Sequence, residues 1–289
     1  MTETLDIRQM RRDEVDELVD WAALEGWNPG LHDADIFWEN DSEAFLAAEQ
    51  GGKVIGGGAI TSYAGQYGFM GFFIVKPEHR GRGLGDALWH ARRDQLLQRL
   101  KDGAAIGMDG VFDMQDYYAK GGFVFSHRNL RYRAEINSDW ASIQPSPHLH
   151  PLSDLSWSAL LDYDLQCFGA PRERFLRAWI AQPGSTAIGY MDADTLQGFG
   201  VLRPCREGAK IGPLFADNAE IADAIFTQLA AAAAGGPVFL DAPENNPDAL
   251  GLVNKYGMDE VFGCARMYLG EPPAVAERRV FGISTFELG

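Results

Sequence analysis

The spacing of apolar residues predicts that the first half of the chain mixes helices and strands. The apolar residues of a predicted first helix fall on one face: Val15, Leu18, Val19 and Ala22. Two apolar runs then flank the turn Gln50–Lys53, which contains two glycines, and this pattern is typical of a β-hairpin. Strands are also predicted over Gly71–Val75, Ala104–Met108 and Phe123–Arg131, with a helix after each of the first two. This order indicates an α/β protein.

A glycine-rich turn between the predicted strand and the next helix is the first candidate for a binding site. It reads Lys76-Pro77-Glu78-His79-Arg80-Gly81-Arg82-Gly83-Leu84-Gly85. Closely spaced glycines let backbone N–H groups converge, and a helix N-terminus adds unpaired donors and positive dipole. We therefore expect the turn to bind a pyrophosphate; the competing interpretation is a solvent-exposed glycine-rich turn. The turn has no Gly-Lys-Ser/Thr, so it is not a P-loop. The dinucleotide-binding pattern G-x-G-x-x-G/A is not matched either, whether it is started at Gly81 or at Gly83.

The remaining pattern, Arg80-x-x-Gly83-x-Gly85, resembles the Q/R-x-x-G-x-G/A signature of the GNAT superfamily of N-acetyltransferases. Residues 1–135 also follow the order of elements in that family, so the resemblance implies a GNAT fold with a mixed sheet. It further implies that acetyl-CoA is the co-substrate and that its pyrophosphate lies on the turn. The residues implied for acetyl-CoA binding are Phe73, Ile74, Val75, Arg80, Gly81, Arg82, Gly83, Leu84, Gly85, Asp86 and Tyr118.

A second similarity to the family lies in Asp116–Phe123, which resembles its Y-x-K-x-G-F ending. The resemblance gives Tyr118 the role of general acid, because a thiolate of CoA develops as the tetrahedral intermediate collapses. It also implies that the backbone N–H of Val75 binds the thioester carbonyl, since a fixed donor suits a developing charge. Alternatively, Tyr118 is a half-buried helix aromatic with a solvated hydroxyl. The adjacent Tyr117 points elsewhere on a helix and is the weaker candidate.

The sequence does not assign a general base. Some GNAT enzymes carry a carboxylate on the strand before the pyrophosphate turn, but here that strand reads Phe69-Met70-Gly71-Phe72-Phe73 and contains no acid. The base must therefore come from elsewhere in the chain, or a water relay must serve. Direct attack on the thioester, without a covalent enzyme intermediate, is expected because no cysteine lies near the two motifs.

The segment Glu25–Asp33 is the candidate acceptor site, because the resemblance implies that the stretch after the first helix borders the acceptor pocket. A tryptophan beside acids and an amide can hold an ammonium group by cation–π and charge-assisted contacts. The candidate substrate residues are Glu25, Trp27, Asn28 and Asp33. The alternative is a simple helix exit, since Gly26 and Asn28–Gly30 are stop and turn residues and the tryptophan can fill the core.

Prolines between residues 145 and 151 interrupt the pattern and predict a boundary between a first domain, residues 1–136, and a second, residues 145–289. The second half then repeats the order of the first, which resembles a second GNAT copy in tandem. Its main predicted elements are strands Ser185–Tyr190, Leu196–Arg203 and Ile211–Phe215, helix Ala219–Ala234, strand Val238–Ala242, helix Pro247–Lys255 and strand Val280–Phe286.

The second half lacks both working motifs of the first. Strand Ile211–Phe215 leads into a helix without a glycine turn or an arginine, and the acids Asp217 and Glu220 would repel a pyrophosphate there. Val253 stands where Tyr118 stands in the first half. We interpret the second half as a degenerate GNAT domain that packs against the first and shapes its substrate site. An independent fold that also alternates strands and helices is the alternative.

Composition restricts the remaining possibilities. The chain has 289 residues, 46% of them hydrophobic, which is enough for two packed domains. A net charge of −16 argues against nucleic acid as a partner. No secretory signal or membrane-spanning run is recognisable, so no membrane association is expected, and three scattered cysteines favour reduced thiols in a cytoplasmic protein. Neither cysteines nor histidines show metal-ligand spacing, so no metal is expected.

Taken together, these features predict an acetyl-CoA-dependent N-acetyltransferase that acts on an amine. The acids of the candidate acceptor segment favour a small cationic amine, and a peptide amine is the other candidate. Two alternatives belong to other classes: a non-catalytic acyl-CoA sensor, and a scaffold whose second domain binds a protein while CoA only stabilises the first. Tyr118 favours an enzyme, because a sensor needs no proton donor at that position. The sequence predicts no particular oligomeric state.

Overall fold

The computed structural model describes residues 4–136, 140, 146–233 and 235–289. The elements of the first half are β1 (Leu5–Gln9), α1 (Arg12–Leu24), α2 (Asp33–Asn40), β2 (Phe45–Gln50), β3 (Lys53–Tyr63), β4 (Tyr67–Val75), α3 (Leu84–Gln98), β5 (Ala105–Val111), α4 (Gln115–Lys120) and β6 (Val124–Glu135). The sequence pattern did not predict β1 or α2. Strand β1 is a half-buried edge strand and α2 has only eight residues, so neither carries a long apolar period.

The elements of the second half are β7 (Leu149–Pro151), α5 (Trp157–Phe168), α6 (Glu173–Ala181), β8 (Thr186–Asp192), β9 (Thr195–Pro204), β10 (Ala209–Ala216), α7 (Ala219–Ala232), β11 (Pro237–Pro243), α8 (Pro247–Lys255), β12 (Asp259–Leu269) and β13 (Val280–Gly282). The predicted last strand, Val280–Phe286, is wrong beyond Gly282. Ala234, the predicted end of α7, lies outside the described residues, as do residues 137–139 and 141–145 at the predicted domain boundary.

One mixed sheet runs through both halves, in the order β1-β2-β3-β4-β5-β12-β6-β11-β10-β9-β8-β7, with β13 paired to β10. Strand β4 pairs with β5 in parallel, β10 pairs with β11 in parallel, and the other neighbours are antiparallel. Helix α3 packs on β3 and β4 of the first half, and α7 packs on β9 and β10 of the second. The predicted α/β fold with a mixed sheet is therefore confirmed.

The two halves exchange their sixth strands at the middle of the sheet. Strand β12 comes from the second half, yet it pairs with β5 and β6 of the first. Strand β6 comes from the first half and pairs with β11 of the second. The sequence pattern missed β12, because a charged start, a central glycine and Arg266 interrupt any alternation of apolar residues. Each half is thus completed by a strand of the other.

Buried arginine–aspartate pairs join the halves at this junction. Arg131 on β6 donates two hydrogen bonds to Asp241 on β11, at 2.6 and 2.8 Å. Arg266 on β12 donates two to Asp109 on β5, at 2.8 and 2.7 Å. Burial alone would raise the pKa of Asp241, but the nearby Arg131 guanidinium holds it below its ordinary value. These pairs fix the register of strands that come from distant parts of the chain.

Residues 283–289, here named the crossing segment, run from the second half onto the first. All seven residues are buried. At one end the N–H of Ile283 donates to the carbonyl of Asp241 at 2.9 Å, and near the other the Tyr63 hydroxyl donates to the carbonyl of Leu288 at 2.7 Å. A Cβ at Gly71 of β4 would collide with the carbonyl oxygen of Glu287. The glycine at this position therefore lets the crossing segment lie directly against β4.

Within residues 4–136, 140, 146–233 and 235–289, no helix combines the length and the apolar character that crossing a bilayer requires.

We predict that Asp241→Asn destabilises the protein by about 3–5 kcal/mol, because it leaves the buried Arg131 charge without its partner. Urea-induced unfolding followed by tryptophan fluorescence measures this change. The pKa of Asp241 is depressed in the folded state, so its stabilisation is present above the pKa of an unfolded aspartate, about 3.9, and is lost as pH falls through the lower folded value. The free energies of unfolding of wild type and Asp241→Asn should therefore approach each other only at acidic pH.

The matched control is Asp16→Asn, which removes an exposed carboxylate paired with Arg12 one helical turn away. Exposed pairs of this kind contribute less than about 1 kcal/mol, so the control should stay close to wild type. Equal unfolding midpoints for Asp241→Asn and Asp16→Asn would contradict the structural role of the buried pair.

Candidate active site

The site begins where β4 separates from β5. The two strands pair over Tyr67–Phe69 and Ala105–Gly107, and no further pairing between them occurs in the described part of the chain. Phe72 on β4 has a φ of +52°, a left-handed conformation that is rare for a bulky residue. The register with β3 shifts at the same point. This bulge turns the end of β4 away from β5 and opens a gap between the two strands.

The predicted pyrophosphate turn lies at the end of β4. Gly81 and Gly83 have φ values of +73° and +75°, and a Cβ on either residue would meet open space. These positions therefore need glycine for its backbone conformation rather than for its size. Gly83 is the N-cap residue of α3, so the first N–H groups of that helix are free to bind an anion.

A cavity of about 430 Å³ runs from this turn to Tyr118. Its lining residues are Glu25, Trp27, Phe73, Ile74, Val75, Arg80, Gly81, Gly83, Gly85, Asp86, Val111, Met114, Tyr117 and Tyr118. Of the residues predicted to bind acetyl-CoA, Arg82 and Leu84 are not among them: Arg82 is exposed, and Leu84 packs against the core on the inner side of α3. Val111 and Met114 belong to no recognisable motif, and they reach the cavity from the end of β5 and the turn after it.

Arg80 holds the turn in place rather than projecting freely into the cavity. Its Nε donates to the carbonyl of Val75 at 2.7 Å, and its guanidinium also contacts the carboxylate of Glu25. Glu25 therefore lies beside the pyrophosphate turn, and its charge is paired with Arg80. The structure thus places this predicted acceptor residue beside the glycine turn, on the lining of the same cavity.

Tyr118 and Tyr117 differ in their surroundings. Tyr118 is 3% exposed, and none of the residues that the structure describes accepts a hydrogen bond from its hydroxyl. Burial raises the pKa of Tyr118 to about 12, although the buried charge of Arg92 acts in the opposite direction. Tyr117 instead donates to Asp86 at 2.8 Å at the mouth of the cavity. The pKa of Tyr117 is raised too, so the difference is that the Tyr118 hydroxyl, unlike that of Tyr117, is not already donated to another described residue.

A smaller inner chamber of about 40 Å³ adjoins the main cavity in the gap between β4 and β5. The two share Trp27, Phe73, Val111 and Tyr118. The remaining residues around the chamber are Met70, Gly71, Phe72, Met108, Asp109, Phe262, Cys264, Phe286 and Glu287. Six of these residues belong to β5, to β12 or to the crossing segment, and no motif in the sequence pointed to them. The second half thus contributes directly to a chamber that opens onto Tyr118.

The expectation that no cysteine lies near the motifs is wrong, because Cys264 on β12 lines the inner chamber. The chain positions of the motifs and of Cys264 are far apart, so only the strand exchange brings them together. Burial raises the pKa of the Cys264 thiol well above its ordinary value, and the charge of Asp109 acts in the same direction. A thiol that stays protonated is a poor nucleophile, so direct transfer remains the expected route.

The fold places the predicted acceptor residues in different parts of the structure. Trp27 lines both the cavity and the chamber. Asn28 bonds instead to the backbone of Glu207, accepting from its N–H at 2.9 Å and donating to its carbonyl at 3.0 Å. Asp33 is fully buried and accepts hydrogen bonds from Arg203, including one of 3.1 Å from Nε. The structure therefore brings Trp27 to the site but does not bring Asn28 or Asp33.

The corresponding region of the second half is closed by the chain itself. Strand β13 pairs with β10 at Leu214 and Phe215, the point at which β10 has parted from β11. The carboxamide of Asn218 caps α7 by accepting from the N–H of Ile221 at 3.0 Å. Asp217 beside it accepts from Tyr163 and pairs with Arg279. No glycine turn precedes α7, so the described residues offer no second pyrophosphate site.

Among the described residues, no three histidine, cysteine, aspartate or glutamate side chains are grouped closely enough to hold a metal ion.

Both halves match models of one protein family. Residues 9–123 match the acetyltransferase (GNAT) family, and residues 160–282 match the acetyltransferase (GNAT) domain. Over 276 residues the chain is 26% identical to holothin acyltransferase of Pseudoalteromonas sp. (strain SANK 73390). The aligned region covers 93% of this chain and 90% of that protein.

Solved structures share the whole architecture. A candidate acetyltransferase from Pyrococcus horikoshii superposes with a TM-score of 0.84 at 23% identity, covering 99% of this chain and 96% of that chain. A tandem GNAT protein from the clavulanic acid biosynthesis pathway superposes with a TM-score of 0.63 at 14% identity, covering 93% and 99%. At these identities the likeness shows the fold alone. Because family models match both halves and the tandem fold agrees, the chain belongs to the GNAT superfamily of acetyltransferases, as a member with two GNAT domains.

Proposed function

We propose that the protein transfers an acetyl group from acetyl-CoA to an amine by direct attack, at a site in its first half. The observation that supports this most strongly is the cavity that connects the glycine turn to the hydroxyl of Tyr118. The helix N-terminus at one end of the cavity can bind the pyrophosphate of acyl-CoA. The protonated phenol at the other end can donate a proton to the leaving thiolate. The holothin acyltransferase relative, which covers nearly the whole chain, supports acyl transfer as the reaction class.

Different residues around the cavity would bind different parts of acetyl-CoA. The N–H groups at the start of α3, with the glycines at Gly81 and Gly83, would hold the pyrophosphate. Phe73, Ile74 and Val75 line the cavity along the free edge of β4, where the arm would lie. In this proposal the Val75 N–H faces the thioester carbonyl. A backbone donor is fixed in place before charge develops, so it stabilises the tetrahedral intermediate without reorganising.

Tyr118 would act as the general acid. When the tetrahedral intermediate collapses, the bond between carbon and sulfur breaks and a thiolate forms, which needs a proton. Tyr118 is suited to this role because its raised pKa, about 12, keeps the hydroxyl protonated over the whole physiological range. The alternative, a sensor that binds acyl-CoA without turnover, gives no reason for a free phenol inside the cavity.

The acceptor in this proposal is an amine that enters through the inner chamber, past Trp27. A small cationic amine fits the acidic chain better than a neutral or anionic acceptor, and a peptide amine is the other candidate. Glu25 and Asp33 cannot recognise its charge as predicted, because their carboxylates are paired with Arg80 and Arg203.

We predict that Gly83→Val raises the dissociation constant of acetyl-CoA by at least about tenfold. A β-branched residue is strained at a φ of +75°, so the turn must change its conformation and its N–H groups no longer converge. Calorimetric titration with acetyl-CoA measures the affinity.

Gly103→Val is the matched control for this change. Gly103 has a φ of +80°, its Cβ would also meet open space, and it lies outside the cavity. The control should lose comparable stability but keep the affinity for acetyl-CoA. If Gly83→Val binds as tightly as Gly103→Val, the pyrophosphate does not lie on this turn.

We predict that Tyr118→Phe lowers kcat by about 10²–10⁴-fold, the usual contribution of a general acid, with little change in acetyl-CoA affinity. Release of the CoA thiol in the presence of a panel of amines (tyramine, spermidine and a dipeptide) provides the assay. Tyr117→Phe is the matched control, since its hydroxyl bonds to Asp86 at the mouth of the cavity.

Two outcomes would count against this assignment. Full activity in Tyr118→Phe would exclude Tyr118 as the acid, and an equal loss in both variants would show no distinction between the two phenols. Binding of acetyl-CoA by the wild type without release of CoA to any amine would instead support the sensor.

A further inference from the structure

Glu287 of the crossing segment is a buried acid in the inner chamber. Its side chain is 3% exposed, and it lines the chamber together with Tyr118 and Trp27. One carboxylate oxygen, Oε2, accepts a hydrogen bond from the hydroxyl of Thr285. The other oxygen, Oε1, is fully buried and has no hydrogen-bond partner among the described residues. A buried acceptor without a partner is costly, so a ligand that brings a donor to this point gains free energy.

Glu287 differs in this respect from the buried aspartates, each of which accepts two hydrogen bonds from one arginine. These pairs are Asp33 with Arg203, Asp109 with Arg266, Asp164 with Arg172, and Asp241 with Arg131. No lysine or arginine nitrogen in the described ranges forms such a pair with Glu287. Glu287, which lines the inner chamber, is therefore a buried acid without a lysine or arginine paired to it.

The other charged and titratable groups around Glu287 are already engaged or protonated. Asp109 also lines the chamber, but it accepts from both Arg266 and Asn129. Cys264 keeps its proton, and Tyr118 is a donor. More distant charges belong to Arg131 and Arg203, which interact with Glu287 electrostatically from β6 and β9. Among the described carboxylates that line the chamber, Glu287 is thus the one with an oxygen, Oε1, that has no hydrogen-bond partner.

We propose that Glu287 is the general base of the acetyl transfer and the group that recognises the ammonium of the acceptor. The proposal rests on the acetyltransferase function proposed above. It supplies the carboxylate that β4 lacks, from the other half of the chain. The residue is catalytic in the strict sense, because in this proposal its Oε1 takes a proton directly from the amine that attacks in the chamber Glu287 lines.

Oε1 of Glu287 accepts a proton from the bound ammonium, and the neutral amine then forms a bond to the thioester carbon. On collapse the bond between carbon and sulfur breaks, its electron pair leaves on sulfur, and Tyr118 protonates the thiolate. The surplus proton on the nitrogen returns to Tyr118, and Glu287 releases its proton to solvent. The products are an amide, CoA and one proton.

Glu287→Gln tests the proposal, because it keeps the shape of the side chain and removes the charge. With the amine that the wild type uses best, kcat should fall by about 10²–10⁴-fold, while the affinity for acetyl-CoA stays within about twofold. Slow hydrolysis of acetyl-CoA, in which water replaces the amine, should fall in parallel and needs no identified acceptor. The matched control is Glu277→Gln, an exposed acid six residues before the crossing segment, which should behave as wild type.

The pH profile separates a base from a merely structural acid. If Glu287 removes the proton, the wild-type rate should be nearly flat between about pH 6 and pH 8, where the acceptor is an ammonium. The residual rate of Glu287→Gln should rise about tenfold per pH unit, because only amine that is already free can attack. A structural defect would lower both rates without changing the slope.

Each failure points to a different conclusion. If the wild type does not bind acetyl-CoA, or binds it without turnover, both the proposed function and the role of Glu287 are overturned. If the wild type turns over and Glu287→Gln keeps its kcat, or loses rate with an unchanged pH slope, only the role of Glu287 is overturned. A thermal melt of each variant establishes that the rates come from folded protein.

Discussion

The separation of β4 from β5 is the constraint on which the rest of the site depends. Paired strands would leave no gap, and neither the cavity nor the chamber would exist. The separation follows from the left-handed backbone at Phe72, whose ring packs edge-on against Phe37 with centroids 5.8 Å apart. A buried aromatic contact of this kind stabilises a conformation that the isolated residue would avoid. The strained residue, Phe72, thus lies beside the proposed reaction site.

The second half has the same separation but uses it differently. Between β10 and β11 the gap is filled by β13, and the chain then continues as the crossing segment into the first half. The copy without a glycine turn therefore supplies structure to the other copy: β12 completes its sheet, and Glu287 enters its chamber. Buried pairs such as Arg131 with Asp241 fix this arrangement, so the two halves form one structural unit.

What the sequence could predict was local. The glycine turn and Tyr118 lie within short stretches whose spacing reflects backbone geometry, and both line the same cavity. Partners far apart in the chain could not be predicted. Asp33 pairs with Arg203, 170 residues away, and nothing near either residue indicates the other. Glu287 has no motif around it, because its role depends on where the crossing segment packs rather than on its neighbours in sequence.

A crystal structure of the full chain with acetyl-CoA tests the central claim most directly. The account predicts one ligand per chain, with its pyrophosphate on the N–H groups of residues 81–86 and its thioester between Val75 and Tyr118. Oε1 of Glu287 should face the acetyl group across the inner chamber. A ligand in the second half, or an acyl arm that leaves the gap between β4 and β5 empty, would contradict it.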